Sequence, residues 1–188
     1  MLFVVNGQGN NITDVTEGVD GLAIDHVAIF ADGMVVEAIP EHGVWKCPLD
    51  SFLVRLSVKE SVLVGRVAGL DVESSVNNAE KFIGKPYDDI FMPSDSAIYC
   101  SELVQKSFVF KNKSSVDNQG GKAVDNPLLQ SVFGTIPMSF HDSTGNVTEF
   151  WTKFYASRGL TVPEGEQGSN PGQLSRDPNV NILGKLSY

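Results

Sequence analysis

The sequence predicts an α+β fold in a single domain, on three observations. The first third of the chain is dominated by short β-branched runs bounded by Gly, Asn and Asp, the pattern of strands joined by tight turns. Helical periodicity appears only later, so antiparallel strands and helices are segregated rather than alternating. Over 188 residues no internal repeat or shift of composition marks a second domain, and that length buries a core without staples. The expected organisation is one domain over 1–188, with a core over about 1–110 and an extension with an irregular tail over 111–188.

Leu2–Val5, Val27–Phe30 and Met34–Ile39 read as strands, and Asp32-Gly33 between the last two is a hairpin turn signal. Gly43–Cys47 adds a strand that Pro48 stops. Leu49, Phe52, Leu53 and Leu56 stand at helical spacing, making 48–56 a short amphipathic helix. Val62–Val67 is a further strand. Val72–Ile83 then gathers Val76, Ala79, Phe82 and Ile83 on one helical face and stops at Gly84, a suitable C-cap. After a turn-rich loop from Lys85 to Ser96, a second helix is expected from near Ile98 to about Phe110. Ser94, Asp95 or Ser96 would cap it, and Leu103, Val104, Ser107 and Phe108 would face the core. The polar, Gly/Asn-rich stretch 111–127 reads as an exposed loop and Thr148–Ala156 as a helix. The Pro/Gly-rich tail from Pro163 to Pro178 reads as irregular.

Composition excludes several function classes. A net charge of −9 argues against binding nucleic acid through its phosphates. No apolar run approaches the roughly 18–20 residues of a membrane helix, so no integral membrane segment is expected. Residues 1–94 carry 14 acidic against 6 basic side chains, a balance that favours cationic over anionic ligands. Cys47 and Cys100 make neither a disulfide framework nor a C-x-x-C pair. His26, His42 and His141 are too scattered to suggest a metal site; no metal or cofactor is expected. No signal-peptide pattern is visible, but the chain opens directly into the run Leu2–Val5, as a domain trimmed of a leader would. A trimmed leader would place the protein in the cell envelope or outside the cell; otherwise it is cytoplasmic.

Cys100 stands where a polar loop turns into an apolar helical face, Tyr99-Cys100-Ser101-Glu102-Leu103-Val104. The first turn of a helix has unsatisfied N–H groups and a dipole that favour a thiolate. His26 heads the strand Val27–Phe30, and Glu37 lies on the partner strand of the same hairpin. With the turn at Asp32-Gly33 the two fall near opposite each other, an arrangement in which a carboxylate orients an imidazole and sets its tautomer.

In order along the chain come Asp25-His26-Val27-Ala28-Ile29, Val36-Glu37-Ala38, Gly84-Lys85-Pro86-Tyr87-Asp88 and Tyr99-Cys100-Ser101-Glu102-Leu103-Val104. This series resembles the YiiX/YaeF-type permuted papain-like amidases, of the superfamily that includes NlpC-like peptidases and lecithin retinol acyltransferase. The resemblance covers roughly residues 1–110 and touches the tail at Asn170-Pro171. It implies a circularly permuted papain-like fold, with an antiparallel sheet against helices and the histidine strand preceding the cysteine helix. It further implies Cys100 as nucleophile, His26 as general base and then acid, and Glu37 as the residue orienting His26. His42, five residues after Glu37, is the alternative third member, because the acyltransferase relatives use a second histidine there. The Cys100 backbone N–H is the natural first oxyanion donor, and Tyr87 or Tyr99 would supply a second polar contact to substrate.

The expected function is that of a cysteine hydrolase cleaving an amide through a thioester. The substrate would be a small peptide or amino-acid amide, such as a cell-envelope peptide or one bearing lysine or a diamino acid. A lipid acyltransferase or thiol esterase, and a non-catalytic binding module on the same scaffold, are the alternatives.

Overall fold

The computed structural model describes residues 1–111 and 130–187. Its centre is a six-stranded antiparallel sheet of β1 (Leu2–Asn6), β2 (Ile24–Ala31), β3 (Met34–Ile39), β4 (Gly43–Pro48), β5 (Glu60–Val67) and β8 (Val180–Lys185). Their order across the sheet is β4-β3-β2-β1-β5-β8. A smaller ribbon pairs β6 (Ile136–Pro137) with β7 (Gln167–Gly168). The β2–β3 hairpin turns on Asp32 and Gly33, with φ of 50° and 77°. Two successive positive φ angles give the primed turn whose twist matches the flanking strands, which is why Asp-Gly suits it.

Period-two alternation gives the sheet two buried faces. One carries Phe3, Val27, Ile29, Val36, Ala38 and Val44, packed with Leu103 and Val104 of α3 (Cys100–Ser107) and Leu174 of α5 (Pro171–Arg176). The other carries Leu2, Val4, Ala28, Val35, Cys47 and Val62 under Phe52 of α1 (Leu49–Val54). By the same alternation His26 and Glu37 belong to this second face, two polar side chains in an apolar layer. A third cluster, Met138, Phe140, Trp151 and Tyr155, forms around α4 (Glu149–Ala156) and reaches Phe91.

β2 contains a bulge. Val4 pairs with His26 and Val5 with Ile24, leaving Asp25 as the extra residue. The inserted residue shifts the alternation, so Ile24 and Val27 share the α3 face although they stand three apart. Bulges of this kind re-aim side chains near active sites.

Several expectations are corrected. The helix expected over 98–110 is shorter, and its N-cap is Tyr99 rather than Ser94, Asp95 or Ser96. It stops at Ser107 because Phe108 turns extended, and Val109 and Phe110 then form bridges with Ser131 and Leu70. The helix from Val72, here α2 (Val72–Glu80), ends before Ile83 in successive turns closed by Phe82, Ile83 and Lys85 N–H groups. The tail is not irregular throughout: Asn170 caps α5 by accepting the Gln173 N–H, with Pro171 at the helix start, and β8 follows as an edge strand on β5. The loop expected over 111–127 lies, beyond Lys111, outside the described residues.

Candidate active site

Glu37 is an interior residue of β3 with no exposed surface. Its Oε2 accepts the His26 Nε2–H at 2.8 Å, and its Oε1 accepts the Trp45 Nε1–H at 3.0 Å. A guanidinium N–H of Arg55 also donates to Oε1, and Cys47 Sγ lies 4.0 Å from it. Trp45 is the direct cross-strand partner of Glu37 on β4, while Arg55 is the C-cap of α1. Burial alone would push the carboxyl up. The His26 bond and charge, the Arg55 cation and the Trp45 bond outweigh it and hold Glu37 below its usual range.

His26 is not directly opposite Glu37. The β2–β3 register pairs Ile29 with Val36 and Phe30 with Val35, so Glu37 faces Ala28 and meets His26 on the diagonal of the same face. The imidazole keeps 19% of its side chain exposed. Burial would lower its pKa, but hydrogen bonds and charge from Cys100 and Glu37 outweigh it and raise it to about 10. With Nε2 committed to Glu37, Nδ1 is the nitrogen left for Cys100. The ring thus pairs with Glu37 on the α1 side, while Cys100 at the start of α3 is near enough to act on its charge.

Cys100 is the first residue of α3 and is 5% exposed. The first N–H groups of a helix have no carbonyl partner within it, so they face outward beside Sγ. The Tyr99 N–H just before them is taken by the Glu102 carboxylate at 3.4 Å. Cys100 lines a cavity with Ile12, Val15, Phe91, Met138, Phe140 and Trp151. Asp25 is the one charged side chain in that lining. Its Oδ2 accepts Asn6 Nδ2 at 3.0 Å and Asn10 Nδ2 at 2.5 Å, while Oδ1 has no partner among the described residues.

Tyr87 and Tyr99 line the same cavity but differ in availability. The Tyr99 hydroxyl accepts the Ser169 N–H at 3.0 Å, and burial raises its pKa to about 12 despite that bond. The Tyr87 hydroxyl has no hydrogen-bond partner among the described residues. Burial and the charges of Cys100 and Asp88 hold it well above the usual phenol range. His42 is exposed in the β3–β4 turn, its ring 4.2 Å from that of Trp45. Cys47 is buried against Glu37, and His141 pairs on the surface with Glu164 at 2.8 Å.

The sequence reading missed Trp45, Arg55, Asp25 and the aromatic wall of Phe91, Phe140 and Trp151. Arg55 did leave a signal: it stands three residues after Phe52, on the same side of the 48–56 helix. Asp25 left none, because a bulge is invisible to a period-two pattern.

The chain resembles a solved structure in fold. The Escherichia coli O157:H7 metalloprotein yiiX matches with a TM-score of 0.64 and 24% identity, over 98% of this chain and 96% of that one. Among the described residues no group of three or more His, Cys, Asp or Glu side chains is placed to hold a metal ion. No described helix is long and apolar enough to cross a membrane. No curated protein matches the chain. The pattern of the permuted papain-like amidase enzymes, YaeF/YiiX, C92 family, matches residues 8–183. With the histidine strand ahead of the cysteine helix and nearly the whole length matched, the chain belongs to the YaeF/YiiX family of permuted papain-like amidases.

Proposed function

We propose that this protein is a cysteine amidase in which Cys100 is the nucleophile, His26 the acid and base, and Glu37 the residue that orients His26. The observation that carries the reading is the Glu37–His26 pair at 2.8 Å, with Cys100 at a helix start near enough to act on the imidazole charge. The Cys100 thiolate attacks the amide carbonyl carbon, and the C=O electron pair moves onto oxygen. The Cys100 backbone N–H receives that oxyanion, joined by the Tyr87 hydroxyl, the cavity tyrosine whose O–H is free. As the oxyanion collapses, the C–N bond breaks and His26 passes its Nδ1 proton to the leaving nitrogen. A thioester and a free amine result. Neutral His26 then takes a proton from water, the hydroxide adds to the thioester carbon, and the C–S bond breaks to give a carboxylic acid and the starting enzyme.

Asp25 supports a substrate that carries an amine on its acyl part, as a lysine or diamino-acid residue does. Its open oxygen is the one anionic acceptor in a lining that also holds an apolar wall of Ile12, Val15, Phe91, Met138, Phe140 and Trp151. That apolar wall also favours a second reading, transfer or hydrolysis of a fatty acyl ester. Release of p-nitroaniline from lysine p-nitroanilide, set against release of p-nitrophenol from an acyl ester, separates them. The wild-type protein is expected to cleave the amide and Cys100→Ala to be inactive with an unchanged melting temperature. Turnover retained by Cys100→Ala would remove the nucleophile assignment.

A further inference from the structure

We propose that Arg55 is a positioning residue for the same site: it keeps Glu37 ionised through the reaction cycle and so fixes the tautomer in which His26 presents Nδ1 to Cys100. For its catalytic meaning the inference rests on the proposed amidase reading.

The groups facing Glu37 are few. From β2 comes His26, from β4 come Trp45 and Cys47, and from the end of α1 comes Arg55. Trp45 contributes a neutral donor and the Cys47 thiol, itself pushed up by burial and by the Glu37 charge, contributes no cation. Glu37 therefore has two possible counter-charges, and only one of them is permanent. In the acylation step His26 gives its proton to the leaving nitrogen and becomes neutral. From then until deacylation, the guanidinium is the sole cation on a carboxylate with no solvent contact. An unpaired buried carboxylate takes up a proton instead. A protonated Glu37 would donate to Nε2, place the imidazole proton on Nδ1, and leave His26 unable to accept a proton from the attacking water.

Arg55 is built to stay in place. Its guanidinium carbon lies 5.3 Å from the Trp45 ring centroid and 5.7 Å from that of Phe52. This is cation–π range, and it holds the side chain between the two rings. Both rings belong to the face that carries Glu37, so α1 serves to bring one cation over one carboxylate.

The test is nitrogen NMR of histidine-labelled full-length protein carrying Cys100→Ala. His26 is told apart from His42 and His141 by its loss in His26→Gln. Long-range proton–nitrogen spectra report the His26 tautomer, and the acid-side titration of its Nε2 resonance reports protonation of Glu37. The parent is expected to hold the neutral ring as the Nε2–H form. Arg55→Gln should raise the proton affinity of Glu37 at least about tenfold, one pH unit. Arg55→Lys, which keeps the charge, should move the titration only part of the way. A merely structural Arg55 would change the melting temperature without moving this titration. Coincidence of Arg55→Gln with the parent overturns the inference. If that variant fails to fold, Arg55→Met, which also removes the charge, decides: a titration moved up by about one pH unit supports the inference and an unmoved one overturns it. The spectra need no turnover, so failure of the wild-type protein to cleave any amide refutes the proposed function without touching this result.

Discussion

Replacing Glu37 by Gln removes one charge and keeps the shape, which makes it the sharpest probe of the site. The glutamine amide has one acceptor oxygen, whereas the carboxylate serves donors on both sides: His26 on one oxygen, Trp45 and Arg55 on the other. Whichever way the amide is turned, an N–H group faces a donor. The loss is one to two charge-assisted bonds at about 1.5–3 kcal/mol each, softened because Arg55 keeps 34% of its side chain exposed. A destabilisation of about 2–4 kcal/mol lowers the melting temperature by roughly 5–15 °C for a chain of this size. The gap has a pH signature. His26 is raised from 6.5 to about 10, so its share of the stabilisation is complete below about 6.5 and fades as pH rises toward 10. Glu37 is lowered from 4.5, so its share is complete above that value and fades as pH falls through its depressed pKa. Thermal unfolding of wild type and Glu37→Gln across pH 3–10 should therefore show the widest gap between about 4.5 and 6.5. A gap independent of pH would refute the ion-pair account.

Iodoacetamide at neutral pH should modify Cys100 at least about tenfold faster than Cys47, since thiolate character sets the rate and burial with the Glu37 charge pushes the Cys47 thiol up; equal rates, read by peptide mass spectrometry, would oppose the site assignment. His42→Ala should leave amide turnover within about twofold of wild type, because the ring is exposed and touches Trp45 rather than His26. A large loss there would return His42 to the third position. Gly43→Ala should destabilise by about 2 kcal/mol or more, because φ is +66° and an added Cβ would sit 2.2 Å from the Lys85 carbonyl oxygen. Chemical denaturation measures it, and an unchanged midpoint would mean that the turn relaxes freely.

The parts legible in the sequence are those governed by local rules. The Asp-Gly turn fixes the hairpin, and the hairpin brings His26 and Glu37 to one face, so both were visible before any coordinates. Cys100 was visible from the switch between loop and helical pattern at Tyr99. The two-residue turn pairs Ala31 with Met34 and so sets Glu37 opposite Ala28, with His26 on the diagonal; what the alternating pattern could not show is the bulge at Asp25, on the β1 side of the same strand. β8 was hidden by composition: Val180, Asn181, Ile182, Leu183, Gly184 and Lys185 form an edge strand with mostly exposed side chains, and tertiary pairing with β5 decides it. The aromatic wall comes from Phe91, Phe140 and Trp151, which lie far apart in sequence, so no window of periodicity could gather them.

The layer under α1 is the least economical part of the molecule. Replacing a buried ion pair by apolar side chains often leaves stability equal or improved, while removing one partner is costly. Glu37 is buried beside Val35, Cys47 and Phe52, and Arg55 reaches it from the rim with a third of its side chain exposed, so apolar packing was available in place of the carboxylate. The pair is then best understood through His26, the third group that shares its charge. A double-mutant cycle exposes the dependence. Arg55→Met alone leaves the Glu37 carboxylate buried with His26 as its sole cation, a loss of about 1–3 kcal/mol. Glu37→Leu alone strands the guanidinium between Trp45 and Phe52, with a comparable loss. The double variant restores an apolar layer and should lose less than the sum of the two by about 1–3 kcal/mol, while amide turnover is abolished as fully as in Glu37→Leu. Additive losses would mean that Arg55 and Glu37 do not share a charge balance, and would remove the reason for placing Arg55 in the site.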